Sequence, residues 1–285
     1  MGFIIDGKII ARSIKEDIKE QVNSLRENKY IPKLAIVRIG DNSSDISYEK
    51  SIVKACADVN IETEKITLDN DIDTTKLQNI IKLLNDRDDI TGIIVFRPFP
   101  SNIDENLIRN TIDIDKDVDC MHPINLERIF EGDYTGFTPS TSKAALLALI
   151  KSGVELEGKK IAIINRSMVV GKPLAMMLLS NNATVTICHS KTKDLKSITR
   201  SSDIVITALG RAKYLDKDYF NKDSIVIDVG VSLDSDGKIS GDVDFSDVLD
   251  NVKMLTPVPG GVGSITTCVL LENTIKAALK QRTLI

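Results

Sequence analysis

The chain has 285 residues, about twice the usual length of one domain, so two α/β-sized domains are expected. Hydrophobic residues make up 42% and charged residues 27% of the sequence, as in an ordinary globular protein. The net charge of −4 argues against a protein that binds nucleic acid through its phosphate backbone, because such a protein normally carries a basic surface.

The first half of the chain alternates between helical and strand-like patterns. Apolar residues at helical spacing predict a helix near the N terminus. Strands are then predicted at residues 33–39, 61–68 and 92–96, with helices at 48–59 and 74–85 between them. This order indicates a parallel sheet with right-handed crossovers.

The second half has the layout of a dinucleotide-binding unit. Strands are predicted at residues 160–164, 184–188, 204–207 and 224–228, with helices at 143–151, 173–179 and about 264–282. We therefore predict an α/β protein of two domains. Residues 1–142, with a C-terminal helix at about 265–285, would form a parallel-sheet domain, and residues 143–264 a Rossmann-type NAD(P)-binding domain.

The cysteines and histidines show no spacing typical of a metal site. With four cysteines far apart and two histidines, we expect no metal and predict buried, reduced thiols. No apolar stretch approaches the ~20 residues needed to span a bilayer, and the start of the chain does not resemble a signal peptide. We expect a cytoplasmic protein without a membrane partner.

Residues 165–171, Asn-Arg-Ser-Met-Val-Val-Gly, lie between a predicted strand and a predicted helix. The backbone amides and helix dipole at such a junction suit a pyrophosphate. The segment departs from the G-x-G-x-x-G pattern, so an ordinary turn between strand and helix is the alternative.

The next predicted strand ends in Cys-His-Ser-Lys-Thr, residues 188–192. An NAD enzyme usually places Asp or Glu at this point to bind the ribose hydroxyls. Here there is no carboxylate, and Arg166 with the donors of His189 and Ser190 would suit a 2′-phosphate. NADP is favoured over NAD, and a solvated basic loop is the alternative.

Two further segments combine unusual residues. Residues 115–123, Asp-Lys-Asp-Val-Asp-Cys-Met-His-Pro, carry carboxylates beside a proline, which fits a solvated loop or a ligand clamp. Residues 256–263, Thr-Pro-Val-Pro-Gly-Gly-Val-Gly, join rigid prolines to glycines that permit close approach of the backbone to a ligand. A plain turn is the alternative for the second segment.

Together these segments resemble the methylenetetrahydrofolate dehydrogenase/cyclohydrolase family over essentially the full length of the chain. Residues 115–119 and 256–263 carry two of the six matching motifs. The others are Ile4-Ile-Asp-Gly-Lys8, Tyr48 with Lys54-Ala-Cys56, Val226-Ile-Asp-Val-Gly230 and Gly241-Asp-Val-Asp-Phe245.

The resemblance implies an oxidoreductase of one-carbon metabolism that oxidises 5,10-methylenetetrahydrofolate to 5,10-methenyltetrahydrofolate with NADP. It also implies a homodimer. Tyr48 and Asp119 would bind the folate, while Pro259, Gly260 and Gly261 would approach the substrate and the nicotinamide. The implied cofactor-binding residues are Asn165, Arg166, Ser167, Gly171, His189, Ser190, Gly210, Val231, Gly261 and Thr266.

Two positions depart from the family pattern where its cyclohydrolase chemistry resides. The family carries Y-x-x-x-K, with a lysine that acts in hydrolysis, but this chain has Ile52 one helical turn after Tyr48. Lys50 and Lys54 lie about 200° round the helix from Ile52. The glutamine of V-Q-L-P-L-P, which orients that lysine, is replaced by Phe96. Since both partners are apolar, we expect Ile52 and Phe96 to pack together.

The two reactions of the family differ in what they require. Hydride transfer leaves a resonance-stabilised cation and depends mainly on alignment of the donor carbon with the nicotinamide. Hydrolysis must activate water and move protons, a task for a tuned lysine. The sequence therefore predicts a dehydrogenase that has lost cyclohydrolase activity.

Other departures concern the cofactor and one new charge. Asn165 replaces a family glycine, Ser264 replaces a proline, and the P-C-T-P-x-G segment becomes Pro-Ser-Thr-Ser-Lys-Ala at residues 139–144. These changes fall near the expected cofactor site or the domain hinge, and they leave cofactor affinity and preference open. Arg97 would contact the glutamate tail of folate or reach solvent, and solvent is favoured.

Two other functions remain open from the sequence. A bifunctional enzyme would use Arg97 or another cation in place of the lysine. A catalytically silent paralogue would bind folate or nucleotide without turnover. The changes at Asn165 and Ser264 favour a silent paralogue, whereas the intact Asp119 and the glycines of residues 260–263 argue against it.

Overall fold

The computed structural model describes residues 2–283. Within this range the helices are α1 (Gly7–Glu27), α2 (Ser43–Asp58), α3 (Thr74–Asn85), α4 (Glu105–Arg109), α5 (Pro123–Glu131), α6 (Ser140–Lys151), α7 (Gly171–Leu179), α8 (Leu195–Arg200), α9 (Phe245–Val248) and α10 (Val262–Thr283). Two short 3-10 helices lie at Lys217–Tyr219 and Leu249–Asn251. The strands are β1 (Phe3–Ile4), β2 (Lys33–Ile39), β3 (Glu62–Leu68), β4 (Gly92–Val95), β5 (Lys160–Ile164), β6 (Thr184–Cys188), β7 (Ile204–Thr207), β8 (Ile225–Asp228), β9 (Ser232–Leu233), β10 (Ile239–Ser240) and β11 (Met254–Leu255).

The chain divides into two compact units, which we name by their main sheets. Residues 2–12 and 139–266 form the six-stranded unit. Residues 13–138 and 267–283 form the three-stranded unit. The division expected from the sequence kept residues 2–12 with the following residues of the first half. Residues 2–12 join the six-stranded unit because β1 pairs in parallel with β11, and the N–H of Ile5 donates to the carbonyl of Leu255 at 2.9 Å.

The three-stranded unit holds a parallel sheet in the order β3-β2-β4. Its core contains Val37 of β2, Leu77 of α3 and Ile93 of β4, each no more than 1% exposed. Helix α10 is anchored to this unit by Asn273, whose Nδ2 donates to the carbonyl oxygens of Val118 (2.8 Å) and Thr138 (2.9 Å). The parallel sheet predicted for the first half of the chain is confirmed.

The six-stranded unit holds a parallel sheet in the order β1-β11-β8-β7-β5-β6. The chain passes from β5 to β6 on one side and then crosses to β7 on the other side of β5. In sheets of this kind, ligands bind beyond the carboxyl ends of the strands where the direction of winding reverses. The Rossmann-type arrangement predicted for the second half is confirmed.

A small antiparallel hairpin of β9 and β10 follows β8. All four cysteines are buried thiols, as predicted. Among residues 2–283, no helix is long and apolar enough to cross a membrane.

Candidate functional site

Tyr48 lies on α2 in the three-stranded unit. The helix begins after Asn42, whose Oδ1 accepts a hydrogen bond from the N–H of Ser44 at 2.9 Å and thereby caps the helix. The Tyr48 ring packs against the ring of Phe96, with centroids 5.3 Å apart. Burial and the nearby charge of Asp119 raise the pKa of Tyr48 well above its ordinary value. The phenol is therefore neutral at physiological pH.

Ile52 and Phe96 are the two residues that the sequence resemblance places at the cyclohydrolase positions. Ile52 is 0% exposed and Phe96 is 7% exposed. Phe96 directly follows β4, and its N–H donates to the carbonyl of Val37 at 2.9 Å. Lys50 and Lys54 are both exposed, in keeping with their expected place on the other side of α2. Both substituted positions therefore carry buried apolar side chains.

Arg97 faces an acidic partner and does not extend into solvent. Its Nη2 lies 3.5 Å from Oδ2 of Asp119 and its Nη1 lies 3.7 Å from Oε1 of Glu105. Its side chain is only 19% exposed. The expectation that Arg97 reaches solvent is wrong, because the two carboxylates attract the guanidinium and hold it beside Asp119.

The acidic segment after residue 115 divides its carboxylates between two roles. Asp117 is 1% exposed and accepts hydrogen bonds from the N–H groups of Met121 and His122, both at 2.8 Å, and from Nδ2 of Asn125 at 2.9 Å. Burial raises the pKa of Asp117 to about 7, although these hydrogen bonds act in the opposite direction. Asp117 therefore fixes the turn, while the side chain of Asp119, 24% exposed, stays accessible to a ligand.

A buried ion pair beside Tyr48 was not predicted from the sequence. Nε of Arg38 on β2 donates to Oε2 of Glu49 on α2 at 2.9 Å, and both side chains are 9% exposed. Arg38 also donates to the carbonyl of Gly40 and to Thr67. The available signal was an arginine within an otherwise apolar strand, since a buried charge needs a partner.

In the six-stranded unit, the segment 165–171 connects β5 to α7, and we call it the phosphate loop. Arg166 and Ser167 are exposed at its tip. Gly171, the first residue of α7, is buried, and a Cβ there would lie 2.1 Å from the carbonyl oxygen of Asn165. Only glycine permits this close approach of two backbone segments.

The segment after β6 lies beside the phosphate loop. Ile164 of β5 is paired with Cys188 of β6, so the chain leaves both strands at the same edge of the sheet. His189 is half-buried and Ser190 is exposed. Nδ1 of His189 accepts a hydrogen bond from the N–H of Lys191 at 3.1 Å. This edge combines a guanidinium, hydroxyls and an ammonium with no carboxylate in the two segments, which suits an anionic phosphate.

The remaining predicted cofactor-binding residues follow other strands of the same parallel sheet. Gly210 has φ of +67° and follows β7, in a loop whose N–H groups at Leu209 and Arg211 donate to Asp242 at 2.6 and 2.8 Å. Val231 follows β8 and is exposed. Thr266 lies in the first turns of α10, where its hydroxyl donates to the carbonyl of Val262 at 3.2 Å.

The glycine-rich segment after β11 is closely packed. Gly261 is buried, and a Cβ there would lie 2.4 Å from the carbonyl oxygen of Pro257. A Cβ on Gly7 would meet the carbonyl oxygen of Gly261 at 2.0 Å. Gly260 has φ of +105°, in the region that favours glycine, and Pro259 is exposed. These contacts require glycine at residues 7 and 261.

Among residues 2–283, no group of three or more His, Cys, Asp or Glu side chains is placed to hold a metal ion. The candidate functional residues form two groups, each within its own unit. The six-stranded unit carries the phosphate loop and the segment after β6, and the three-stranded unit carries Tyr48, Phe96, Arg97 and Asp119.

Two family models match the chain. Residues 5–119 match the catalytic domain of tetrahydrofolate dehydrogenase/cyclohydrolase, and residues 139–282 match its NAD(P)-binding domain. The chain belongs to the tetrahydrofolate dehydrogenase/cyclohydrolase family. The resemblance stated from its sequence motifs is thereby confirmed.

Curated relatives and solved structures of this family are similar over nearly the full length. The chain is 52% identical over 278 residues to "Bifunctional protein FolD" of Clostridium botulinum, covering 98% of this chain and 99% of the relative. It is 40% identical to the bifunctional enzyme FolD of Campylobacter jejuni, with a TM-score of 0.96 and coverage of 98% and 99%. It is 30% identical to the Trypanosoma brucei enzyme, whose structure contains NADP and an inhibitor, with a TM-score of 0.93 and coverage of 98% of both chains.

Removing one member of the buried Arg38–Glu49 pair will destabilise the three-stranded unit. The Glu49→Ala variant leaves the Arg38 charge buried without its carboxylate, which costs about 3–5 kcal/mol. The double variant Arg38→Met with Glu49→Met removes both charges and will recover most of that loss. Chemical denaturation measures both values.

The control for this prediction is the exposed pair of Lys15 and Asp58, 3.0 Å apart. Lys15→Ala should cost less than about 1 kcal/mol, because exposed ion pairs contribute little. An equal loss of unfolding free energy in Glu49→Ala and in the double variant would contradict the interpretation that the single variant leaves the Arg38 charge buried without a partner.

Proposed function

We propose that this family member is an NADP-dependent methylenetetrahydrofolate dehydrogenase that has lost methenyltetrahydrofolate cyclohydrolase activity. It oxidises 5,10-methylenetetrahydrofolate to 5,10-methenyltetrahydrofolate. The loss of hydrolysis is supported chiefly by Ile52, which is fully buried one turn from Tyr48.

The residues present fit the dinucleotide. Arg166 of the phosphate loop, with His189 and Ser190 after β6, would hold its phosphates through charge-assisted hydrogen bonds. Ser167 donates both its N–H and its hydroxyl to Asn165, so it would act on the cofactor only through the shape of the loop. When bound, NADP supplies the acceptor for a hydride. Gly171 allows the backbone of the loop to close against the start of α7 without a side chain in between.

The folate side requires binding and alignment. Asp119 would accept hydrogen bonds from the pterin, and Tyr48 would border the ring as a neutral, largely buried aromatic surface. Pro259, Gly260 and Gly261 are assigned to contacts with the substrate and the nicotinamide. None of these residues needs to gain or lose a proton for hydride transfer, because alignment dominates that step.

Hydrolysis of the methenyl product places a different demand on the site. Water must be activated, and a proton must reach the ring nitrogen as the ring opens. Ile52 and Phe96 offer no group that can exchange a proton, and both are buried. Dehydrogenation can therefore persist where hydrolysis cannot.

A bifunctional enzyme is the second candidate, and one contact favours it. Arg97 places a cation 3.5 Å from Asp119, where it could stabilise a developing anion. The 52% identical Clostridium botulinum relative is also named a bifunctional protein. Against this candidate, arginine as a residue type does not exchange protons near neutral pH, so Arg97 does not reproduce the chemistry of a lysine.

Two assays on the purified protein separate these candidates. We expect reduction of NADP with methylenetetrahydrofolate, measured by absorbance, and methenyl decay at the rate of the buffer alone. Enzyme-dependent decay of methenyl absorbance would refute the loss of cyclohydrolase activity. Binding of NADP and folate without any reduction would instead identify the silent paralogue.

Restoring the two polar residues tests the assignment of positions. The Ile52→Lys, Phe96→Gln double variant should gain methenyl hydrolysis, because the amide can orient the new ammonium. Ile52→Lys alone should be destabilised, since it buries an amine without a designed partner. The matched control is Val53→Lys with Phe99→Gln, two half-buried neighbours that should give no hydrolysis.

Arg166 will control the preference for NADP over NAD. Arg166→Ala removes a guanidinium that would pair with the 2′-phosphate, so NADP affinity should fall about 10- to 100-fold while NAD affinity changes little. Isothermal titration with each dinucleotide measures both. Arg200→Ala, an exposed arginine at the end of α8, is the control, and an equal loss for NAD and NADP would contradict this role of Arg166.

We also propose a cytoplasmic homodimer. Strand β6 is an edge of the six-stranded sheet, and Leu179 and Ile187 beside that edge are exposed apolar residues. Exposed edges of this type are sites of pairing between chains. Light scattering should give twice the mass of the 31.3 kDa chain, and Ile187→Asp should shift the protein to monomer. A monomer in the unsubstituted protein would refute the dimer.

A further inference from the structure

Asn165 supports the phosphate loop from within. Its Oδ1 accepts hydrogen bonds from the N–H and the hydroxyl of Ser167, both at 2.8 Å, and from the N–H of Gly171 at 3.0 Å. Its Nδ2 donates to the carbonyl of Ala208, directly after β7, at 2.6 Å. One side chain therefore joins both ends of the loop to the neighbouring strand.

Ser142 supports the same loop from α6. It is 0% exposed, and its hydroxyl lies 3.0 Å from the carbonyl oxygen of Val169 and 2.9 Å from that of Val170. A buried hydroxyl on α6 therefore holds residues 169 and 170 of the loop, in addition to the contacts that Asn165 makes.

These contacts within the protein determine which backbone N–H groups of the phosphate loop can donate hydrogen bonds to a ligand. The N–H groups of Ser167 and Gly171 point to Asn165, and the N–H of Val170 donates to the hydroxyl of Ser167 at 3.1 Å. In the part of the chain that the structure describes, the N–H groups of Met168 and Val169 donate no hydrogen bond, and both residues are exposed. The tip of the loop therefore presents donors while its base is satisfied internally.

We propose that Asn165 and Ser142 are positioning residues that hold the phosphate loop in its NADP-binding conformation before the cofactor arrives. A loop that is already ordered by contacts within the protein loses less conformational entropy when a ligand binds. Both residues stand where the family pattern carries glycine or proline, so the two changes act on one element. This inference rests on the proposed function in one respect, namely that the loop binds NADP.

The test uses the full-length protein and two measurements. Amide hydrogen exchange without cofactor reports the order of residues 165–171, and isothermal titration reports NADP affinity. Asn165→Ala should speed exchange in the loop and weaken NADP binding about tenfold, because three acceptor contacts and one donor contact are lost. Ser142→Ala should do both to a smaller degree, about threefold in affinity.

The kinetic pattern separates positioning from general damage. Both variants should raise KM for NADP while kcat at saturating NADP and KM for the folate stay unchanged. The double variant should weaken binding by less than the product of the single effects, since either change already releases the loop. Asn181→Ala, which removes a contact between Asn181 and the Met177 carbonyl near the end of α7, is the matched control and should alter neither measurement.

Unchanged exchange in Asn165→Ala would overturn the proposal, as would faster exchange with unchanged NADP affinity. Equal loss of folate and NADP affinity would also overturn it, because that pattern indicates loss of the fold. Failure of the unsubstituted protein to bind NADP would refute the proposed function together with this inference. An effect of the two variants on exchange and NADP affinity alone supports it.

Discussion

All six strands of the sheet in the six-stranded unit run in parallel, and the position of the phosphate loop and its neighbouring segments depends on this. Ile164 of β5 is paired with Cys188 of β6 and with Thr207 of β7. The segments that begin at Asn165, His189 and Ala208 therefore leave the sheet at one edge, although they lie far apart in the chain. A single antiparallel strand in this group would place its segment at the opposite edge.

Buried polar groups then give this edge its shape. Asp242 is 0% exposed and accepts hydrogen bonds from the hydroxyl of Thr207 and from the N–H groups of Leu209 and Arg211. Asp228 accepts from the N–H groups of Gly230, Asp242 and Val243, and burial raises its pKa to about 7. Asn165 likewise accepts hydrogen bonds from the N–H groups of Ser167 and Gly171. In each case a side chain satisfies backbone amides that the loops would otherwise leave without a partner.

In the three-stranded unit, the buried and half-buried charges near Tyr48 are arranged as ion pairs. Ile52 and Phe96, the positions that the sequence resemblance assigns to a lysine and a glutamine, are buried and apolar. The nearby guanidinium groups of Arg38 and Arg97 are each beside a carboxylate, Glu49 and Asp119 respectively. In the proposed function, Asp119 and a neutral aromatic surface would bind and orient the folate. Ile52 and Phe96 themselves carry no group that exchanges protons.

Regular elements were predictable where a local pattern was strong. The strand predicted at residues 33–39 coincides with β2, and the helix at 74–85 coincides with α3. Helix α2 starts five residues before its predicted start at residue 48, at Ser43, because the Asn42 cap and not apolar spacing sets its beginning. Helices α4 and α5 and the β9–β10 hairpin were not predicted, since short elements carry too few residues to show a period.

The sequence by itself determined the family and the parallel α/β architecture. Those properties are carried by residue identity and by spacing along the chain. Only the tertiary structure decided that residues 2–12 join the six-stranded unit, that Arg97 pairs with Asp119, and that the side chain of Asn165 accepts hydrogen bonds from within the phosphate loop. Each of these depends on a partner more than 20 residues away or on the direction of a side chain, and neither is encoded in local pattern.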